Sequence, residues 1–108
     1  MKYLKDDRIT SFVDVKDEKV VGFMNVRIDY QLHHMGNVAE ILELWVDKEY
    51  RTLGIENQFV KKAVELARQN HCDCIETCTR RTNEKAHRFF ERAGLNKSHY
   101  KLKMTLKY

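Results

Sequence analysis

The sequence predicts an α/β domain built on a mixed, mostly antiparallel twisted sheet with flanking helices. Three observations carry this. Strand-like runs follow one another from Phe12 to Val46, whereas residues 55–70 repeat at helical spacing. The order of runs is then β-β-β-α-β-α-β, a helix-and-strand alternation that builds a layered α/β fold. The chain has 108 residues with no linker, repeat or low-complexity tract, so residues 1–108 read as a single domain.

The elements follow from the residues in order. Phe12 and Val13 start a first run, and Asp17-Glu18-Lys19 makes the turn. Val20 to Tyr30 is rich in Val, Phe, Met, Ile and Tyr, which favour a pleated surface. "QLHHMGN" reverses the chain, with Gly36-Asn37 as turn residues. "VAEILELWV" is the next strand; strict alternation places Glu40, Leu42, Leu44 and Val46 on one face and Ile41, Glu43 and Trp45 on the other. In residues 55–70, Phe59, Ala63, Leu66 and Ala67 fall on one side of a helix, and Lys61, Lys62, Glu65 and Arg68 face water. "CDCIETCT" alternates as a strand. Thr82 or Asn83 caps a short helix whose apolar side is Ala86, Phe89, Phe90 and Ala93, and Gly94 ends it. "YKLKMTLK" alternates Leu102, Met104 and Leu106 with Lys101, Lys103 and Thr105, so it reads as a last strand. "TSFVDV" is expected to lie at a sheet edge.

Composition removes several classes. Hydrophobic residues make up 43% and charged residues 33%, ordinary for a folded domain. No apolar run approaches the ~20 residues that cross a bilayer, so no membrane is expected. "MKYLKDDRITSF" has no apolar core of a secretory signal, which makes the cytoplasm the expected compartment. The net charge of +4 favours anionic partners. The basic residues are not interleaved with an exposed aromatic platform, so no nucleic acid is expected. Cys72, Cys74 and Cys78 share one strand parity and lack the spacing and fourth ligand of a zinc site; they read as reduced, half-buried thiols with no metal.

One junction draws the function. "WVDKEYRTLGIENQFV" runs from a strand into Arg51-Thr52-Leu53-Gly54 and then directly into a helix. A helix start presents unpaired N–H groups and partial positive charge, for which phosphate is the natural ligand. The lysine and serine/threonine of a Walker loop are missing, and so is the glycine spacing of a dinucleotide fingerprint.

These residues resemble the GCN5-related N-acetyltransferase (GNAT) family. Its acetyl-CoA motif, Arg/Gln-x-x-Gly-x-Gly/Ala, is matched by Arg51-Thr52-Leu53-Gly54-Ile55-Glu56. A second signature, Asn, Ala and an aromatic pair before Glu and Gly, is matched by "NEKAHRFFERAGL", Asn83 to Leu95. "LHHMGNVAEILEL" is similar to the branch that acetylates aminoalkylphosphonates, aminoglycosides and similar amines. The resemblance implies an acyl-CoA N-acyltransferase-like fold, N-terminally short because "MKYLKDDRI" does not supply the usual first strand and two helices. It also implies transfer of an acetyl group from acetyl-CoA to a primary amine of a small molecule. The amides of Leu53, Gly54, Ile55 and Glu56 would cradle the pyrophosphate, aided by the Arg51 and Thr52 region. The backbone of Leu44, Trp45 and Val46 would pair with the pantetheine arm, and Asn83 would hydrogen-bond that arm.

For the chemistry, the amine must lose a proton and the thioester must be aligned with it. Glu40 is the first choice as base. Glu43 occupies a second acidic position, on the opposite face if the strand alternates strictly. His33 and His34 precede that strand and read as polar turn residues. Two departures from the family bear on activity. Glu56 stands where the motif has its last glycine and brings a negative charge toward the phosphates. Phe90 stands where a tyrosine would protonate the departing thiolate; Tyr100 is the candidate replacement. These departures motivate a second reading, a degenerate non-catalytic CoA-binding or interaction module, which turnover on small amines separates from the enzyme. The absent N-terminal elements would leave apolar surface uncovered, so a homo-oligomer, most simply a dimer, is expected.

Overall fold

The computed structural model describes residues 2–6, 8–31 and 36–106, the first of these segments by its backbone alone. They form two compact units, Met1–Thr77 and Cys78–Tyr108.

The first unit is a five-stranded sheet in sequence order: β1 (Lys2–Asp6), β2 (Ile9–Lys16), β3 (Lys19–Gln31), β4 (Gly36–Val46) and β5 (Cys72–Thr77). The first four strands are antiparallel neighbours. β5 is parallel to β4, and the helix α1 (Ile55–Gln69) makes the crossover that a parallel pair requires. The predicted mixed, mostly antiparallel sheet is therefore present. β1 was not expected. It pairs with β2 from Lys2↔Val13 to Asp6↔Ile9, so "TSFVDV" is an interior strand and not the edge. The alternation in "MKYLKDD" is too short and too charged to have announced a strand.

The β2–β3 hairpin closes on two residues, Asp17 and Glu18, between the paired Lys16 and Lys19. Both have positive φ, 52° and 60°. Left-handed backbone at both central positions is the turn whose twist matches that of the flanking strands.

α1 lies against one face of the sheet, where Met24, Val26, Ala39, Ile41 and Val46 are buried together with Ile55, Phe59, Ala63 and Ala67. The predicted inward stripe of α1 holds at Phe59, Ala63 and Ala67; Ile55 and Val60 join it, and Leu66 is half-buried. Gly22 explains how Phe59 seats. A Cβ there would stand 2.9 Å from Phe59 Cε2 and 3.0 Å from the Trp45 carbonyl oxygen. The ring thus occupies the volume that any other residue at position 22 would need.

The second unit contains α2 (Glu84–Arg92). Asn83 is its cap: the side-chain oxygen accepts from the Ala86 amide at 3.1 Å. His87 Nε2 donates to the Arg80 carbonyl at 2.8 Å, tying the preceding loop to the helix. Phe89 and Phe90 meet edge to face, with centroids 5.1 Å apart. Gly94, at φ 108°, ends the element, and the Leu95 amide closes back on the Phe90 carbonyl.

The last predicted strand is not formed. Residues 95–106 have no regular structure, and Tyr100, Leu102, Met104 and Leu106 are exposed. Alternation makes a segment suited to a sheet, but a strand exists only by pairing. Among the described residues no strand pairs with this one.

Phe59 is fully buried and fills the space that Gly22 leaves. Phe59→Ala is expected to destabilise the protein by about 3–5 kcal/mol. Denaturant unfolding of the two proteins measures it as a lower midpoint at unchanged slope.

Candidate active site

Strict alternation fails in β4. Asn25 lies opposite Glu43 and Val26 opposite Ile41, so Leu42 is an extra residue without a partner on β3. A one-residue bulge exchanges the two faces of everything beyond it. Upstream, Glu40 stands across from Arg27; downstream, Glu43 stands across from Asn25 and Trp45 across from Phe23. Asn25, Arg27 and Phe23 share one face of β3, the face opposite α1. Glu40 and Glu43 therefore project from the same face, which corrects the expectation that they oppose each other. Leu42, expected beside Glu40, is 38% exposed at the bulge itself.

The two carboxylates differ in their partners. Glu40 Oε1 accepts from Arg27 Nη2 at 2.8 Å. Arg27 Nε lies 2.6 Å from Asp29 Oδ2, an ion pair not aligned as a hydrogen bond, and Asp29 Oδ1 in turn accepts from Arg8 Nη1 at 2.9 Å. Glu40 thus ends a charge chain that runs Arg8–Asp29–Arg27–Glu40. Among the described residues, Glu43 Oε1 accepts from the neutral amide of Asn25 alone, at 3.2 Å. Glu43 also lines an open depression with Phe23, Leu44 and Trp45. The two aromatic rings there are tilted by 33° with centroids 5.7 Å apart. Sequence reasoning missed Asn25 and Arg27. The available signal was the period-two polar series Asn25, Arg27 and Asp29 in an otherwise apolar strand.

The parallel ladder between β4 and β5 ends at Ile41↔Thr77. There Thr77 Oγ1 donates to the Ile41 carbonyl at 3.1 Å. Beyond that point β4 continues to Val46 with β3 alone beside it. The backbone groups of Leu42 to Val46 that point away from β3 have no partner strand among the described residues. A side chain meets the far end of this edge: Arg51 Nε donates to the Val46 carbonyl at 3.2 Å.

A 3₁₀ helix, Lys48–Leu53, carries the chain from β4 to α1. Asp47 caps it, accepting from the Glu49 amide at 3.0 Å, and Lys19 Nζ lies 3.1 Å from the other carboxylate oxygen. The bond from the Glu49 amide, then that from Lys19, holds the Asp47 carboxyl below its ordinary range, and the same pairing raises Lys19. Gly54 then takes φ 74°, ψ 16°, and α1 starts with no side-chain cap. The left-handed conformation costs an L-residue about 1–2 kcal/mol, so glycine suits the position. A Cβ at Gly54 would meet nothing within 4 Å, so the space before the helix start is open. The first amides of α1 consequently remain available to a ligand. Arg51, Thr52 and Leu53 are exposed, Ile55 is buried, and Glu56 is half-buried with no ion pair among the described residues.

The structure brings Glu40, Glu43, Leu44, Trp45, Val46 and the Arg51–Glu56 segment together in the first unit. Asn83 and Tyr100 belong to the second unit. The Asn83 oxygen is used by its cap, which leaves its N–H₂ group as the donor. Tyr100 is 87% exposed. His33 and His34 lie outside the described residues. Cys72 and Cys74 are half-buried, but Cys78 is exposed, against the expectation for all three; burial raises the Cys72 and Cys74 thiols, helped at Cys72 by Cys74 and Asp73 and at Cys74 by Glu76 and Asp73.

Residues 2–95 match the Acetyltransferase (GNAT) family. The chain belongs to that family. Aminoalkylphosphonate N-acetyltransferase of Salmonella typhimurium is 31% identical to this GNAT chain over 103 residues, 95% of the chain and 67% of that protein. N-acetylaspartate synthetase of Xenopus tropicalis is 32% identical over 92 residues, 85% of the chain but only 32% of that longer protein. Among solved structures, one described as a transcriptional regulator from Bacillus halodurans matches with a TM-score of 0.84 at 30% identity, over 94% of this chain and 69% of that one. An aminoglycoside acetyltransferase from an uncultured soil metagenomic sample matches with a TM-score of 0.82, over 96% of this chain and 70% of that one. At 18% identity the latter likeness is one of fold. The GNAT fold and the acetyltransferase class are thus shared with proteins that this chain resembles along nearly its whole length.

Proposed function

We propose that this GNAT protein transfers the acetyl group of acetyl-CoA to a primary amine of a small molecule. The observation that carries the reading is the edge of β4 from Leu42 to Val46, which has no partner strand among the described residues and runs toward the uncapped start of α1. An extended chain with amide groups can add to such an edge as a further strand. The four steps from Val46 back to Leu42 span about 14 Å at strand rise, enough to lay an arm along. In this reading Leu44, Trp45 and Val46 pair with the pantetheine amides. The amides of Leu53, Gly54, Ile55 and Glu56 hold the pyrophosphate, with Arg51 and Thr52 at its side. Bound there, acetyl-CoA supplies the activated acetyl carbon.

The acceptor side falls to the face that carries Glu40 and Glu43. A carboxylate there removes a proton from the ammonium so that its nitrogen can attack. Phe90 has no proton to give the departing sulfur. The names of the similar proteins, which act on aminoalkylphosphonates and aminoglycosides, support a small amine as acceptor. We place the protein in the cytoplasm as a homodimer. Support for association comes from the exposed Leu102, Met104 and Leu106. Sedimentation equilibrium at micromolar concentration should return twice the chain mass; a monomer throughout that range refutes the dimer.

The function is tested by turnover of acetyl-CoA with a panel of small primary amines. Acetylation of at least one, with release of free CoA thiol, is the expected result; binding of acetyl-CoA with no turnover on any amine would favour the non-catalytic module. Glu56 opposes the pyrophosphate in this reading. Glu56→Gln should tighten acetyl-CoA about fivefold, equivalent to ~1 kcal/mol between unit charges about 4 Å apart in water. Calorimetry reads the change, and equal or weaker affinity means that Glu56 turns away from the phosphates.

A further inference from the structure

The charge chain on the acceptor face ends at one of the two glutamates and not at the other. We propose that Arg27 is a positioning residue for the reaction: it fixes Glu40 as a charged anchor for the acceptor ammonium and leaves Glu43 to take the proton. This rests on the acetyltransfer reading above.

Geometry separates the roles. Glu40 is held by the guanidinium at 2.8 Å, and Arg27 is itself held from behind by Asp29, which Arg8 braces. To accept a proton, Glu40 has to give up that ion pair. It also stands where β4 is still paired with β5, across from Glu76. Glu43 stands beyond the end of that pairing, one residue past the bulge, beside the edge where the thioester would lie. Its oxygen accepts one bond from a neutral amide, and its side chain reaches an open depression walled by Phe23 and Trp45. The other residues facing this group are neutral on β2, where Ile9 stands across from Arg27 and Ser11 across from Asn25. Arg27 is thus the cation between Glu40 and Asp29. Without it, Glu40 would share its face with Glu43, Glu76 and Asp29 and have no fixed direction.

The step balances as follows. The ammonium loses one proton to the Glu43 carboxylate. The freed nitrogen lone pair attacks the thioester carbonyl carbon, and the carbon–sulfur bond breaks with its electron pair going to sulfur. The nitrogen gives up a second proton, the thiolate takes one, and Glu43 releases its own to water. The products are the N-acetylamine, CoA thiol and one proton.

The test is a double-mutant cycle with Arg27→Gln and Glu40→Gln, together with Glu43→Gln and Arg27→Lys, on an amine that the wild type acetylates. Glu43→Gln should lower kcat by roughly 10²-fold or more and flatten the acid side of the pH profile, with acetyl-CoA affinity unchanged. Arg27→Gln and Glu40→Gln should each raise KM for the amine about tenfold and leave kcat nearly intact, and the double variant should be no worse than either. Arg27→Lys should recover part of the loss. A merely structural Arg27 would instead add its effect to that of Glu40→Gln and weaken acetyl-CoA as well. Retained kcat in Glu43→Gln, or additive effects of the Arg27 and Glu40 changes, overturns the assignment while the acetyltransfer stands. A wild type that turns over no amine overturns the function and the assignment together.

Discussion

The arrangement depends on where the pairing of β4 stops. Its ladder with β5 ends at Ile41↔Thr77, and the extra residue Leu42 interrupts its ladder with β3 at the same level. Backbone N–H and C=O groups require partners, and an edge that lacks a strand is a template for one. Beyond Ile41 the outward groups of β4 therefore have no partner strand among the described residues. The same bulge moves Glu43 to the face of Glu40. The end of one ladder and the bulge in the other thus leave, at one level of β4, an edge without a partner strand among the described residues and a face with two carboxylates.

The far end of that edge is fixed by local electrostatics. Asp47 caps the 3₁₀ helix and pairs with Lys19, and Arg51 closes onto the Val46 carbonyl. Because the carboxyl of Asp47 is depressed on folding, its contribution to stability is present above the ordinary carboxylate range and is lost as pH falls through the folded value. Lys19 is raised, so its contribution is present below the ordinary lysine range and is lost only as pH rises through its folded value. Between those limits the tether is intact. The Lys19 end of the pair is exposed and screened by salt, so the pair adds little to overall stability.

Most of the fold was legible because its signals are local. The period change after Gly54, the polar Asp17-Glu18 turn and the Asn83 cap each reside in a few neighbouring residues. What stayed hidden depends on pairing. The Leu42 bulge is invisible in "VAEILELWV", since alternation runs through it without a break; only the register against β3 reveals it. β1 likewise exists by virtue of β2, and "YKLKMTLK" alternates well yet has no strand to join. The family's motif is visible in the sequence as Arg51 to Glu56, whereas Arg27 carries no local signature. It meets Glu40 only across the sheet, thirteen positions away in sequence.

The claim that the β4 edge and the start of α1 together receive acetyl-CoA is tested most directly by amide hydrogen exchange. Exchange is followed residue by residue with and without acetyl-CoA. The account predicts slowed exchange at the outward-pointing amides among Leu42 to Val46 and at Ile55, Glu56 and Asn57, with little change in β1 and β2. Unchanged exchange in both segments at saturating acetyl-CoA, or protection confined to other parts of the sheet, would contradict it.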